Sequence, residues 1–166
     1  MLQPTVRRTW APQGQTPIHV SWDRHDRLSV IAAISLSSKR KHLGLYFDIT
    51  DHNIQTDEFD AFVCAILQQL RRSIILVMDR YSVHRAGVTR LRASFGDRIH
   101  TEWLPAYAPD LNPVEQIWKR TKYDDLPNFI PDDVYELGHE VSGSIRNTRS
   151  SQSILRSFFE HCELTL

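Results

Sequence analysis

Little in this sequence suggests an extracellular, membrane-spanning or zinc-thiolate protein. Of 166 residues only two are cysteine, Cys64 and Cys162, far apart and each within a helical apolar pattern. That usage fits buried reduced thiols rather than a disulfide framework, and it suits a cytosolic protein. No apolar run approaches the roughly 20 residues needed to cross a bilayer. The N-terminal MLQPTVRRTW has no hydrophobic signal core. The six glycines form no phosphate-cradling loop, and the eight histidines show no zinc spacing with the two cysteines. Net charge is absent too: 20 basic residues balance 20 acidic ones. An overall field that would attract nucleic acid is therefore missing, and only local patches could steer one. Such patches are Arg7-Arg8, Lys39-Arg40-Lys41, Arg71-Arg72, and Lys119-Arg120 with Lys122. Each taken alone reads as solvated surface.

What is present is ordinary globular material, 41% apolar and 24% charged. The length suits one domain with a sizeable core, and no repeat, low-complexity tract or linker divides it. Thr5–Trp10 and Ile18–Trp22 read as strands flanking a Pro/Gly turn. Leu28–Leu36 is a nearly continuous β-branched run, expected to be a strand covered on both faces. KRKHLG then turns the chain into a strand over Leu45–Ile49, closing an antiparallel meander. Thr56–Arg72 carries helical apolar spacing, with Thr56 as N-cap and Asp57 and Glu58 in the first turn. Ser73–Asp79 reads as a buried parallel strand opening onto a site at its carboxyl end. A helix over Val83–Phe95, a strand over Ile99–Leu104 and a helix from about Pro113 to Tyr123 follow. Amphipathic helices near Asp132–Arg146 and Ser151–Cys162 end the chain. The order β-β-β-α-β-α-β-α-α predicts an α/β fold with a mixed sheet flanked by helices.

Two carboxylates stand out. Asp79 ends the most apolar strand, where it reads either as the cap of the next helix or as a metal ligand. Glu115 has a comparable ambiguity. With Asn112 as N-cap and Pro113 first in the helix, Glu115 falls at the third position, a capping-box arrangement. Together the pair gains meaning, because hard divalent cations take a few carboxylate oxygens and leave the rest of the shell to water and phosphate. Two such ions can stabilise the attacking and leaving oxygens of phosphoryl transfer. A Ser82/His84/Asp79 hydrolase triad is a weak alternative, crowded into six residues without a nucleophile-elbow glycine pattern. Trp103, Tyr107 and Trp118 read as core or loop-packing aromatics.

LVMDRYSVHRA followed by LPAYAPDLNPVEQIWKRTK closely resembles the DDE catalytic domain of mariner-like bacterial insertion-sequence transposases. RRTWAPQGQTP, RLSVIAAIS and SILRSFFEHCEL extend the resemblance, in order, over nearly the whole chain. It implies an RNase H-like fold, with residues 1–166 as one catalytic domain. Asp79 and Glu115 would be the second and third acids of a triad holding Mg²⁺ or Mn²⁺, with His84 and Asn112 in support. Arg80, Lys119, Arg120 and Lys122 would be candidate phosphate contacts. The implied reaction is hydrolytic cleavage at transposon ends followed by attack of a 3′-hydroxyl on target DNA. The implied partners are terminal inverted repeats, target DNA, and a second protomer or a full-length transposase; no membrane is involved. The implied location is the cytoplasm of a bacterium, in association with the nucleoid.

Two departures from the family pattern shape the expectation. Asp79 is followed by Arg80, where the family usually carries Asn. The first acid of the family lies on a strand ahead of the segment matched by LQPTVRRTWAP, so the domain is expected to be incomplete at its N-terminus and to lack its first strand. Asp23 and Asp26 are the nearest aspartates, but SWDRHDRLS reads as a turn between strands. The strand ending in Asp79 is then expected to keep an unpaired edge. The chain by itself is expected to be inactive, or alternatively to be a catalytically dead remnant that binds DNA or a full-length transposase.

Overall fold

A computed structural model describes residues 7–16, 18 and 27–166. The β-branched run expected as a strand forms β1 (Ser29–Leu36), paired antiparallel with β2 (Leu43–Thr50) in a register that sets Ala32 against Phe47. The turn between them uses Arg40 in the left-handed region, at φ 55°. Helix α1 (Thr56–Leu70) follows; its cap is Gln55 rather than Thr56, and the Glu58 carboxylate accepts from the Gln55 N–H at 2.9 Å. Arg71, at φ 50°, ends the helix in a left-handed turn, so it and Arg72 lie past the helix end.

Strand β3 (Ile74–Met78), helix α2 (Ser82–Phe95) and strand β4 (Ile99–Trp103) make a β-α-β unit whose strands pair in parallel, Met78 against Trp103. A short turn over Pro109–Leu111 leads to α3 (Glu115–Arg120), which passes into a wider π-type turn over Thr121–Asp125. The expected helix over 113–123 is thus shorter as an α-helix. Helices α4 (Val134–Ser150) and α5 (Gln152–His161) complete the described residues, capped by the side chains of Asp133 and Ser151. Among the described residues no helix is long and apolar enough to cross a membrane.

In place of one continuous mixed sheet, the described strands form two two-stranded sheets, β1-β2 and β3-β4. Among the described residues β3 hydrogen-bonds to one neighbour, β4. Of the two expected N-terminal strands, Arg7–Trp10 and Ile18 carry no strand structure, and the remaining positions lie outside the described residues, as do Asp23 and Asp26.

Two clusters hold the elements together. One joins β1 and β2 to α3, α4 and α5 through Leu45, Ile117, Val141, Ile145 and Leu155. The other packs α1 and α2 on β3 and β4 through Phe59, Val63, Leu67, Met78 and Leu91. Strand β1 serves both: Val30, Ala32 and Ile34 face the first cluster and Ile31 the second. Burial of β3 on both faces does not hold. Ile75 and Val77 are 69% and 57% exposed, because α1 and α2 lie against its other face. Cys64 and Cys162 are free thiols; Cys162 is buried as expected, whereas Cys64 is only partly so.

Candidate active site

Parallel pairing brings the carboxyl ends of β3 and β4 side by side. Asp79 directly follows Met78, and Leu104 directly follows Trp103 and donates its N–H to the Met78 carbonyl at 2.8 Å. From Leu104 the chain loops round to α3, so both candidate acids lie beyond the same end of the sheet. Crevices of this kind, outside the carboxyl ends of parallel strands, are where α/β folds bind ligands.

The loop before Glu115 is fixed by its own hydrogen bonds. Asn112 accepts through its side-chain oxygen from the Val114 N–H at 3.2 Å, and through its carbonyl from the Glu115 N–H at 3.0 Å. Asn112 therefore closes the turn but is not the expected N-cap: α3 begins at Glu115, with Val114 at the cap position and no side-chain cap. The reciprocal half of a capping box does not form: the Asn112 N–H goes to the Pro109 carbonyl instead, at 3.0 Å. Glu115 opens α3 with a carboxylate that makes no hydrogen bond or ion pair among the described residues. The group is half-buried, and its pKa is held above the ordinary glutamate value, first by burial and then by the negative charge of Asp79, with Lys119 opposing both. The two acids therefore sense one another across the site.

Asp79 is exposed, but one of its oxygens is fully engaged. Its Oδ1 accepts from the Tyr81 N–H at 3.0 Å and faces His84 Nδ1 at 2.6 Å. The His84 ring lies 4.9 Å from the Phe59 ring and meets the edge of Tyr81 at 5.7 Å. Phe59 belongs to the buried core, and α2 approaches it closely because residue 87 is glycine. A Cβ there would collide with the Phe59 ring and lie 2.6 Å from Asp60 Oδ1. This brace was not among the expected site features, although a glycine inside a helical pattern is the signal that could have pointed to it. The Asp79–His84 pair exists, but the Ser82 hydroxyl makes no hydrogen bond to His84 among the described residues, so no hydrolase triad is assembled.

The basic candidates divide. Arg80 is exposed beside Asp79. Lys119 reaches Asp110 at 3.8 Å on the surface. Arg120 turns inward to Asp125 at 3.3 Å, with its Nε buried. Lys122 lies over the Tyr123 ring at 5.5 Å.

Among the described residues no group of three or more His, Cys, Asp or Glu side chains converges. Asp79 and Glu115 are near enough that the Asp79 charge adds to burial in raising the half-buried Glu115 carboxyl. A hard dication relieves that repulsion, and two protein carboxylates with water and phosphate oxygens are a usual Mg²⁺ shell. The residues present therefore fit Mg²⁺ or Mn²⁺.

No curated protein matches the chain in sequence. Among solved structures, the crystal structure of the Mos1 strand transfer complex is similar to it, with a TM-score of 0.62 at 13% identity. The match covers 98% of this chain and 48% of that one, so the chain spans about half the length of that neighbour. At this identity the likeness concerns the fold, which is the RNase H-like architecture expected from the sequence. A family model described as DDE superfamily endonuclease matches residues 1–136, a span that contains Asp79, His84, Asn112 and Glu115. The chain belongs to the DDE superfamily endonucleases.

Proposed function

We propose that residues 1–166 form a catalytic domain for metal-dependent cleavage and strand transfer of DNA in transposition, with Asp79 and Glu115 as two of its metal-holding acids. The observation that supports this most directly is the half-buried Glu115 carboxylate, which makes no cap hydrogen bond and is raised first by burial and then by Asp79. Mg²⁺ or Mn²⁺ held there would supply Lewis-acid stabilisation to the reacting phosphate oxygens. The protein's share is placement. The parallel pairing of β3 with β4 sets Asp79, and the Asn112 turn sets Glu115. Arg80 and Lys119 are exposed cations near the acids, suited to the DNA backbone. The DNA partners follow from the same reading: terminal inverted repeats as substrate, target DNA as acceptor, and a second protomer or a full-length transposase alongside.

A companion reading, which rests on the resemblance in sequence, is that the chain alone does not cleave DNA. The alternative, a remnant that binds DNA or a full-length transposase without chemistry, is separated by one assay. Mn²⁺-dependent cleavage of DNA bearing the element's terminal inverted repeats is measured for the chain alone and for the chain extended by an upstream acid-bearing strand. The expected result is an inert chain, a gain on extension, and loss of that gain in Asp79→Ala and Glu115→Ala. Cleavage indifferent to both substitutions would remove the site assignment. Failure of the extended chain to cleave, with DNA binding retained, would favour the remnant.

A further inference from the structure

We infer that His84 is a positioning residue that commits Asp79 to a single coordinating oxygen. The inference rests on the metal reading above and deepens it. Asp79 Oδ1 has two partners, the Tyr81 N–H at 3.0 Å and His84 Nδ1 at 2.6 Å. Because a carboxylate oxygen only accepts, the proton of that bond sits on Nδ1. Oδ2 makes no hydrogen bond or ion pair among the described residues. A dication at Asp79 would thus meet one prepared oxygen, Oδ2, and not a freely rotating carboxylate.

What makes this a device and not a chance contact is the ring's own support. One side of His84 packs against buried Phe59 and another against the edge of Tyr81, so its reach toward Asp79 is set by the hydrophobic core. Gly87, one turn on, allows the close α1–α2 approach that puts Phe59 there. Rigid orientation of a ligand by a partner that does not touch the metal raises affinity without adding a bond to the ion.

Two measurements test it. In ¹⁵N spectra of the chain at alkaline pH, His84 is expected to carry its ring proton on Nδ1, since the nitrogen that holds the proton is set by the bond it makes. Mn²⁺ affinity, read from the paramagnetic resonance of the free ion, is expected to fall at least about 10-fold in His84→Phe, which keeps a ring against Phe59 but has no donor. His84→Asn places an amide donor near the Nδ1 position and is expected to restore most of the loss. Thermal melts of both variants, compared with wild type, exclude a folding defect. A ring proton on Nε2, or Mn²⁺ affinity unchanged in a folded His84→Phe, would overturn the inference. If wild type binds no Mn²⁺, or binds it equally well as Asp79→Asn, the metal reading itself fails; an Nδ1 proton would then mark a structural contact only.

Discussion

Glu115 and Asp79 are electrostatically linked: burial at the start of α3, and then the Asp79 charge at the end of β3, push the Glu115 carboxyl above its ordinary value. The folded state then keeps a proton that the unfolded chain has already released, so stability falls as pH rises from the ordinary glutamate value through the raised one. Glu115→Gln is therefore expected to stabilise the protein above that window and to leave it unchanged below. The gain stays under about 1 kcal/mol, because a partly exposed group is screened by solvent. Urea unfolding at acidic and neutral pH reads the difference. A gain present only on the acidic side would contradict the placement of Glu115.

Divalent cation should reverse that penalty. Mg²⁺ or Mn²⁺ binds the ionised pair, so the rise in melting temperature on adding either ion is expected to grow with pH across the same window. At about 100 times the dissociation constant, linkage predicts about 2.7 kcal/mol of added stability. Asp79→Asn should abolish the increment, and Ca²⁺, a larger ion content with a looser shell, makes a useful comparison.

Gly87→Ala tests the brace behind the site. The new methyl would collide with Phe59 and crowd Asp60, whose Oδ1 already lacks a partner and whose pKa is raised by burial. Overpacking of this kind costs about 1–3 kcal/mol. Urea titration should show that loss, and Mn²⁺ affinity should fall with it, since α2 carries His84. Loss of stability with Mn²⁺ affinity unchanged would separate the core contact from the site.

Asn112→Ala removes the side-chain acceptor of the Val114 N–H. Loss of that turn-closing hydrogen bond costs about 1 kcal/mol. The expected signature is a modest drop in urea midpoint together with weaker Mn²⁺ binding, because the same turn aims Glu115. Aspartate at this position should restore the stability.

Behind α3 a small polar chain ties it to α4. The hydroxyls of Thr121 and Ser144 are 2.9 Å apart, and Ser144 donates to Asp125 at 2.7 Å. Thr121 and Ser144 are both buried. Ser144→Ala should cost about 1–3 kcal/mol by leaving Thr121 and Asp125 without that partner. Ser144→Thr, which retains the hydroxyl, should cost less, as judged by the same unfolding curves.

Much of the fold is legible in the residues themselves. Short apolar, β-branched runs place the strands β1 to β4, and period-3.6 apolar patterns place α1, α2, α4 and α5, within a few residues, because each element must present apolar side chains to a core. The position of Asp79 at a strand end and the Pro/Asn turn before Glu115 are equally local, since backbone restriction and side-chain capping act over a handful of residues. Other features depend on what packs against what. An apolar run such as IILVM suggests burial on both faces, yet helices cover one face of β3 and leave Ile75 and Val77 exposed. A glutamate three positions after an asparagine suggests a reciprocal cap, yet the Asn112 N–H bonds Pro109 and Glu115 stays out of the cap. Sequence spacing cannot say that Oδ1 of Asp79 is occupied and Oδ2 is not. The Tyr81 N–H and the His84 ring occupy Oδ1, and the ring is backed by Phe59 across an α1–α2 contact that Gly87 permits, whose distance is set by side-chain volume and not by spacing along the chain.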